Sequence, residues 1–212
     1  MPHAANNLLT DAHIAEQLHT LAEKDTHIKA AVALVGLPAA RHRPHGFATL
    51  LDTIIGQQIS VAAARAVRGR IFALMDDAPT PKALMTFSDE ELRGAGLSRQ
   101  KIGYARSLSE ATLSGALNFD ALLTATDDEA TKSITQVKGL GVWSAQIYLM
   151  FALGRANIWP VLDLGVQEGV ARFAKLDERP KPKALEGVGE RWHPYRSAVA
   201  LLAWHYYDKA PL

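Results

Sequence analysis

No stretch of this chain alternates apolar and polar residues over the length of a strand, whereas apolar residues recur three and four apart almost throughout. Ile14, Leu18 and Leu21 open the series, and the segment Ile28 to Val35 continues it. A longer run carries Phe47, Leu50, Leu51, Ile54 and Ile55, then Ile59, Ala63, Val67, Ile71 and Leu74, ending near Met75. A chain written in this single period buries its apolar stripes helix against helix, so the fold class is all-α.

Capping signals divide the helices. Gly56 and Ser60 break the long run in two, with Ser60 as the second helix's N-cap. Pro79 and Pro81 mark a linker turn. Ser88 with Glu91, and Thr126 with Glu129, have the spacing of capping boxes. Gly94-Ala95-Gly96 stops one helix and Ser98 starts the next, which runs past Ala111. Asp163 sits at the N-cap of a helix through Phe173. Pro180 and Pro182 flank another turn, and Pro194 opens a final helix through Tyr207.

With 212 residues, 48% of them hydrophobic and 21% charged, the chain is long enough for one domain of two lobes around a real core. It contains no cysteine, which excludes disulfides, a thiolate zinc site, a cysteine nucleophile and a cysteine-ligated iron–sulfur cluster. No apolar run is long enough to span a bilayer and the start lacks a signal peptide's pattern, so a cytoplasmic location without membrane contact is expected. The net charge of +1 does not announce a nucleic-acid binder. Local clusters of Arg65, Arg68 and Arg70, and of Arg93, Arg99, Lys101 and Arg106, fit either a basic binding surface or a solvated helix face balanced by acids. His3, His13, His19, His27, His42 and His45 lack metal-ligand spacing and read as surface residues.

The segment Val137-Lys-Gly-Leu-Gly-Val-Trp carries the first chemical signal. Gly139 and Gly141 permit a tight turn that brings backbone N–H groups to an anion. The helix beginning at Val142 and running to about Leu153 aims its positive end at the same place. Gly-x-Gly before a helix also serves simply to join two helices. The earlier Leu92-Arg-Gly-Ala-Gly-Leu-Ser echoes it and fits such a joining turn.

Four ordered segments together are more specific. They are Phe47-Ala-Thr-Leu-Leu-Asp-Thr-Ile-Ile-Gly-Gln-Gln-Ile-Ser, the hairpin Val137 to Val142, the loop Trp159-Pro-Val-Leu-Asp-Leu-Gly, and Trp192-His-Pro-Tyr-Arg-Ser-Ala-Val-Ala-Leu-Leu-Ala-Trp. In this order they resemble the helix-hairpin-helix DNA glycosylases, and most nearly the 3-methyladenine DNA glycosylase II (AlkA-type) branch. The resemblance covers roughly Phe47 to Tyr207. It implies a two-lobed helical fold with a DNA-binding cleft between lobes. Residues 1–46 would pack on the C-terminal lobe, 47–142 would form the central lobe ending in the hairpin, and 143–212 would carry the catalytic aspartate.

The resemblance also implies roles. Val137, Lys138, Gly139, Leu140 and Gly141 would bind a phosphate of double-stranded DNA, with a Na+ or K+ ion at the carbonyls of Val137 and Leu140. Lys138 stands where the family commonly has proline. Asp163 would be the catalytic carboxylate, stabilising the oxocarbenium-like sugar and orienting water, a role compatible with capping its helix. Trp143 stands where strand-cutting relatives have a Schiff-base lysine, so the expected enzyme is monofunctional, a hydrolase without lyase activity.

Trp143, Ile147, Trp204, Tyr148 and Trp159 would line the base pocket, with Tyr206 a weaker candidate. Electron-rich rings favour cationic alkylated purines such as 3-methyladenine and 7-methylguanine. Ile147 stands where some relatives present a pocket tyrosine. Gln58, with Gln57 and Ile59, would wedge into the gap left by the flipped base, and Arg196 would brace its lobe. The implied protein is a monomer acting on damaged bases in base-excision repair, without a cofactor. Alternatives are another lesion preference (ethenoadenine, hypoxanthine) or a non-catalytic DNA-binding module.

Overall fold

The structure is a computed structural model that describes residues 9–210. His3, one of the histidines read as surface residues, lies outside them. The described residues form thirteen α-helices and one short 3-10 turn, with no strand. In order these are α1 (Asp11–Ala22), α2 (Thr26–Val35), α3 (Phe47–Gly56), α4 (Val61–Ala73), α5 (Pro81–Thr86), α6 (Asp89–Gly94) and α7 (Arg99–Leu113). There follow α8 (Phe119–Thr124), α9 (Asp127–Thr135), α10 (Val142–Phe151), α11 (Leu164–Phe173), α12 (Pro182–Gly189), the turn Glu190–Trp192 and α13 (Arg196–Lys209).

The side-chain caps do the cutting. Ser60, Ser98 and Asp163 each accept an amide from the first turn of α4, α7 and α11. Ser88 and Thr126 make reciprocal capping boxes with Glu91 and Glu129. Each such cap stabilises its helix by about 1 kcal/mol. Two prolines read as turn markers behave differently: Pro81 and Pro182 occupy the first turns of α5 and α12. Proline's fixed φ suits that position, and the amide it lacks has no helical partner there.

The described residues fall into two compact units, 43–148 and 9–42 with 149–210. The division falls inside α10, between Tyr148 and Leu149, rather than just after Val142. In the first unit α3 packs on α4 and α7, and α5 and α6 pack on α7. Leu50, Leu51, Ile54 and Ile55 of α3 are fully buried there. Each such side chain contributes about 1.5–3 kcal/mol.

In the second unit α13 is the central rod, with Ser197 through Ala203 all buried. It packs against α11, α2 and α1. Glycine makes the α11 contact close: a Cβ at Gly169 would collide with the Ala203 carbonyl. Trp192 is wholly buried against Trp159 and Phe173. Its indole N–H donates to Asp25 Oδ2 at 2.8 Å. Burial alone raises the Asp25 pKa, but that bond, the Ile28 and His27 amides and Arg191 outweigh it and hold the carboxyl below its usual value.

Candidate active site

The hairpin is anchored by apolar residues and left open at its tip. Val137 and Leu140 are buried, and the Leu140 amide donates to the Val137 carbonyl at 3.0 Å. Lys138 and Gly141 are exposed. Gly139 adopts φ +94°, and a Cβ there would collide with the Tyr104 ring. No other residue fits that place. Gly141 differs: it has no left-handed φ, and a Cβ would meet nothing within 4 Å. The turn does not require glycine at this position. In the echoing segment the left-handed residue is instead Gly96, so the two turns are built differently.

Gln57 reaches from the end of α3 to the hairpin, its amide donating to the Gly139 carbonyl at 2.8 Å. That bond turns Gln57 inward. Gln58, next in line, is exposed and holds φ +56°, unusual for a residue with a side chain. Ile59 is 40% exposed. Lys101 donates to the Ile55 carbonyl at 2.7 Å, and burial lowers its pKa. Gln57, Gln58, Ser98, Lys101, Tyr104 and Gly139 line an open cavity of about 420 Å³ beside these residues.

In the second unit Asp163 ends a tightly tied loop. Its amide donates to the Pro160 carbonyl at 2.9 Å, and the Gln167 side chain holds the Val161 carbonyl at 2.7 Å. Asp163 Oδ1 accepts two bonds, from the Val166 amide at 2.9 Å and from Trp204 Nε1 at 2.8 Å. Gly165 makes this possible: a Cβ there would lie 2.8 Å from Trp204 Cδ1 and 3.2 Å from Asp163 Oδ1. Trp204 also packs on Phe151, with ring centroids 5.8 Å apart. The guanidinium of exposed Arg41 covers the indole at 5.2 Å from its centroid. Fixing one oxygen with two donors leaves the carboxylate oriented, as an electrostatic catalyst must be.

The other aromatic candidates separate. Half-buried Trp143 and buried Ile147 line a cavity of about 480 Å³ in the first unit. Tyr148 is fully buried; its hydroxyl bonds His45 Nδ1 at 2.7 Å and accepts the Gly46 amide at 2.9 Å. Burial pushes its pKa up. Trp159 is buried too, donating to the Leu185 carbonyl at 3.0 Å. Both rings pack within their own units and offer no stacking face. Tyr206 packs edge-on to Phe173. Arg196 braces the second unit through Asn157 at 2.9 Å and Glu190 at 3.3 Å.

His45 is not a surface residue: its ring bonds Tyr148 and the Phe119 carbonyl. Sequence reading also passed over Asp52, the one charge on apolar α3, which pairs with Arg43 at 2.8 Å and Arg68 at 3.4 Å in the Trp143 cavity. A lone carboxylate among Leu and Ile was the available signal. Among the described residues no group of three or more His, Asp or Glu could hold a metal ion.

Residues 51–194 match the HhH-GPD superfamily base excision DNA repair protein family. The 3-methyladenine DNA glycosylase of Schizosaccharomyces pombe, solved in complex with abasic DNA, superposes with a TM-score of 0.83 at 27% identity, covering 89% of this chain and 95% of that one. The DNA-3-methyladenine glycosidase of Bacillus halodurans gives 0.82 at 32% identity, covering 91% and 89%. A Bacillus subtilis relative is 28% identical over 162 residues, 73% of this chain, and the chain spans 56% of its length. The chain belongs to the HhH-GPD superfamily of base excision DNA repair proteins. Within that superfamily it falls in the 3-methyladenine DNA glycosylase branch.

Proposed function

We propose that the protein is a monofunctional DNA glycosylase that hydrolyses the N-glycosidic bond of alkylated purines in double-stranded DNA. The observation that carries the reading is Asp163, capped into α11 and held by Trp204, in a chain of this superfamily. As the bond to the base lengthens, positive charge grows on the sugar. The Asp163 carboxylate stabilises that charge and accepts a proton from the attacking water.

The remaining residues serve this step. The amides around Gly139 and Gly141, with the first turn of α10, grip a DNA phosphate without reading sequence, and exposed Lys138 adds its charge. Gln58, beside Ile59, fills the gap left by the extruded base; Gln57 holds that segment to the hairpin. Trp143 and Ile147, which line one cavity, receive the base, and Trp204 holds Asp163. Trp143 has no amine for a Schiff base, so the strand stays intact. The carbonyls of Val137 and Leu140 would hold a Na+ or K+ ion; Val137's oxygen keeps a second lone pair after accepting the Leu140 amide. The protein acts as a monomer and requires no other cofactor.

The test is base release from duplexes carrying single defined lesions, 3-methyladenine and 7-methylguanine first. Release of free base by the wild type and its loss in Asp163→Asn supports the reading. A protein that binds the duplex and releases nothing is a DNA-binding module. Borohydride should trap no covalent adduct; efficient trapping would overturn the monofunctional assignment.

A further inference from the structure

Lys101 and Tyr104 stand one turn apart on α7, and each props a different segment of the first unit. The Lys101 ammonium donates to the Ile55 carbonyl, in the last turn of α3, at 2.7 Å. The Tyr104 ring fills the space that a side chain at Gly139 would need. Gln57 closes the set, its amide donating to the Gly139 carbonyl at 2.8 Å. These residues border the cavity of about 420 Å³ together with exposed Gln58.

Gln58 is the residue that needs the support. Its φ of +56° is a left-handed backbone, which costs free energy in a residue with a Cβ and persists only where neighbours fix it. Glycine or asparagine is usual in that conformation, and this chain has glutamine. The fixing comes from both sides. Ser60 caps α4 just after it, and Lys101 holds the end of α3 just before it. The Lys101 ammonium is partly buried, pairs with no carboxylate among the described residues, and has its pKa lowered by that burial. A neutral side chain would avoid the desolvation. A charged donor at the negative end of a helix, however, makes a shorter and stronger bond than a neutral one. The site accepts a desolvated charge and gains a firmly held helix end.

We propose that Lys101 is a positioning residue for base extrusion: it fixes the end of α3 so that Gln58 stands in its strained conformation before DNA arrives, ready to fill the gap left by the departing base. The inference rests on the glycosylase reading with Gln58 as its wedge, and adds the element that stiffens that wedge. A stiff wedge matters most where a paired base must be pushed out, because lost pairing and stacking then have to be offset. It matters least where the lesion has no partner.

The experiment uses the full chain and two duplexes, each with one 7-methylguanine, placed opposite cytosine in one and opposite a tetrahydrofuran abasic analogue in the other. Single-turnover release is measured at saturating enzyme. Lys101→Met keeps the stem and removes the charge. A thermal melt checks its fold, and Lys101→Gln carries the same expectation if the methionine variant is unstable. Release opposite cytosine should fall about tenfold more than release opposite the abasic analogue. Gln58→Ala should shift that ratio the same way, and adding Lys101→Met to it should shift it no further, because Lys101 acts through Gln58. Equal slowing on both duplexes would make Lys101 a structural residue only and overturn the inference. Independent, multiplying effects in the double variant would overturn it too. So would weaker binding of undamaged duplex with a shallower salt slope, the mark of a backbone contact. Release from neither duplex by the wild type is a different result: it removes the alkylated-purine reading itself.

Discussion

The indole N–H of Trp204 donates to Asp163 Oδ1 at 2.8 Å, so the ring taken for a stacking surface is also a clamp on the carboxylate. Trp204→Phe keeps most of the ring and removes the donor. Its expected effect is a loss of about tenfold in the single-turnover rate with little change in melting temperature. An unchanged rate would show that Asp163 keeps its orientation without the Trp204 donor.

Asp163→Asn separates chemistry from architecture. Asparagine caps a helix as well as aspartate does, so stability should stay within about 0.5 kcal/mol of wild type. Base release should fall by a factor on the order of 100 or more, because a neutral amide does not stabilise the sugar cation. Duplex affinity, measured by fluorescence anisotropy, should persist.

The two hairpin glycines should respond in opposite ways. Gly139→Ala places a Cβ in the Tyr104 ring on a left-handed backbone. Strain and overpacking together should cost about 2–4 kcal/mol in urea unfolding. Gly141→Ala should unfold like wild type, since nothing surrounds its missing Cβ. Any loss of DNA affinity in that variant then reports obstruction of the phosphate.

Lys138→Ala should weaken duplex binding equally for damaged and undamaged sequences. The slope of log affinity against log salt should become shallower by about one unit. An unaltered slope would remove Lys138 from the backbone contacts.

Acid stability should depend on Asp25. Its folded-state pKa lies below its ordinary 3.8, so its contribution is full above that value and is lost as pH falls through the lower folded one. Asp25→Asn should flatten that acid limb in melts taken from pH 5 downward.

What sequence made legible was what neighbours within one turn decide. Ser60, Ser88, Ser98, Thr126 and Asp163 announce helix starts because a cap bonds only three residues ahead. Pro81 and Pro182 misled for a related reason, since proline marks both a turn and a first helical turn and local pattern does not separate them. The helix-hairpin-helix family was legible from four ordered segments. What stayed hidden depends on distant residues. His45 is drawn inward by Tyr148, more than a hundred residues on, and Tyr148 and Trp159 pack inside their units through partners no periodicity specifies. Asp52 gained meaning only when Arg43 and Arg68 were seen at its two oxygens.

The hydrogen bond from Gln57 to the Gly139 carbonyl has a mechanical consequence. On the proposed roles, it couples the segment assigned to the helix stack and the turn assigned to the phosphate as a single lever. In that arrangement a pull on a phosphate held by the hairpin would be delivered one residue away, at Gln58. Gripping and prying would then be one motion.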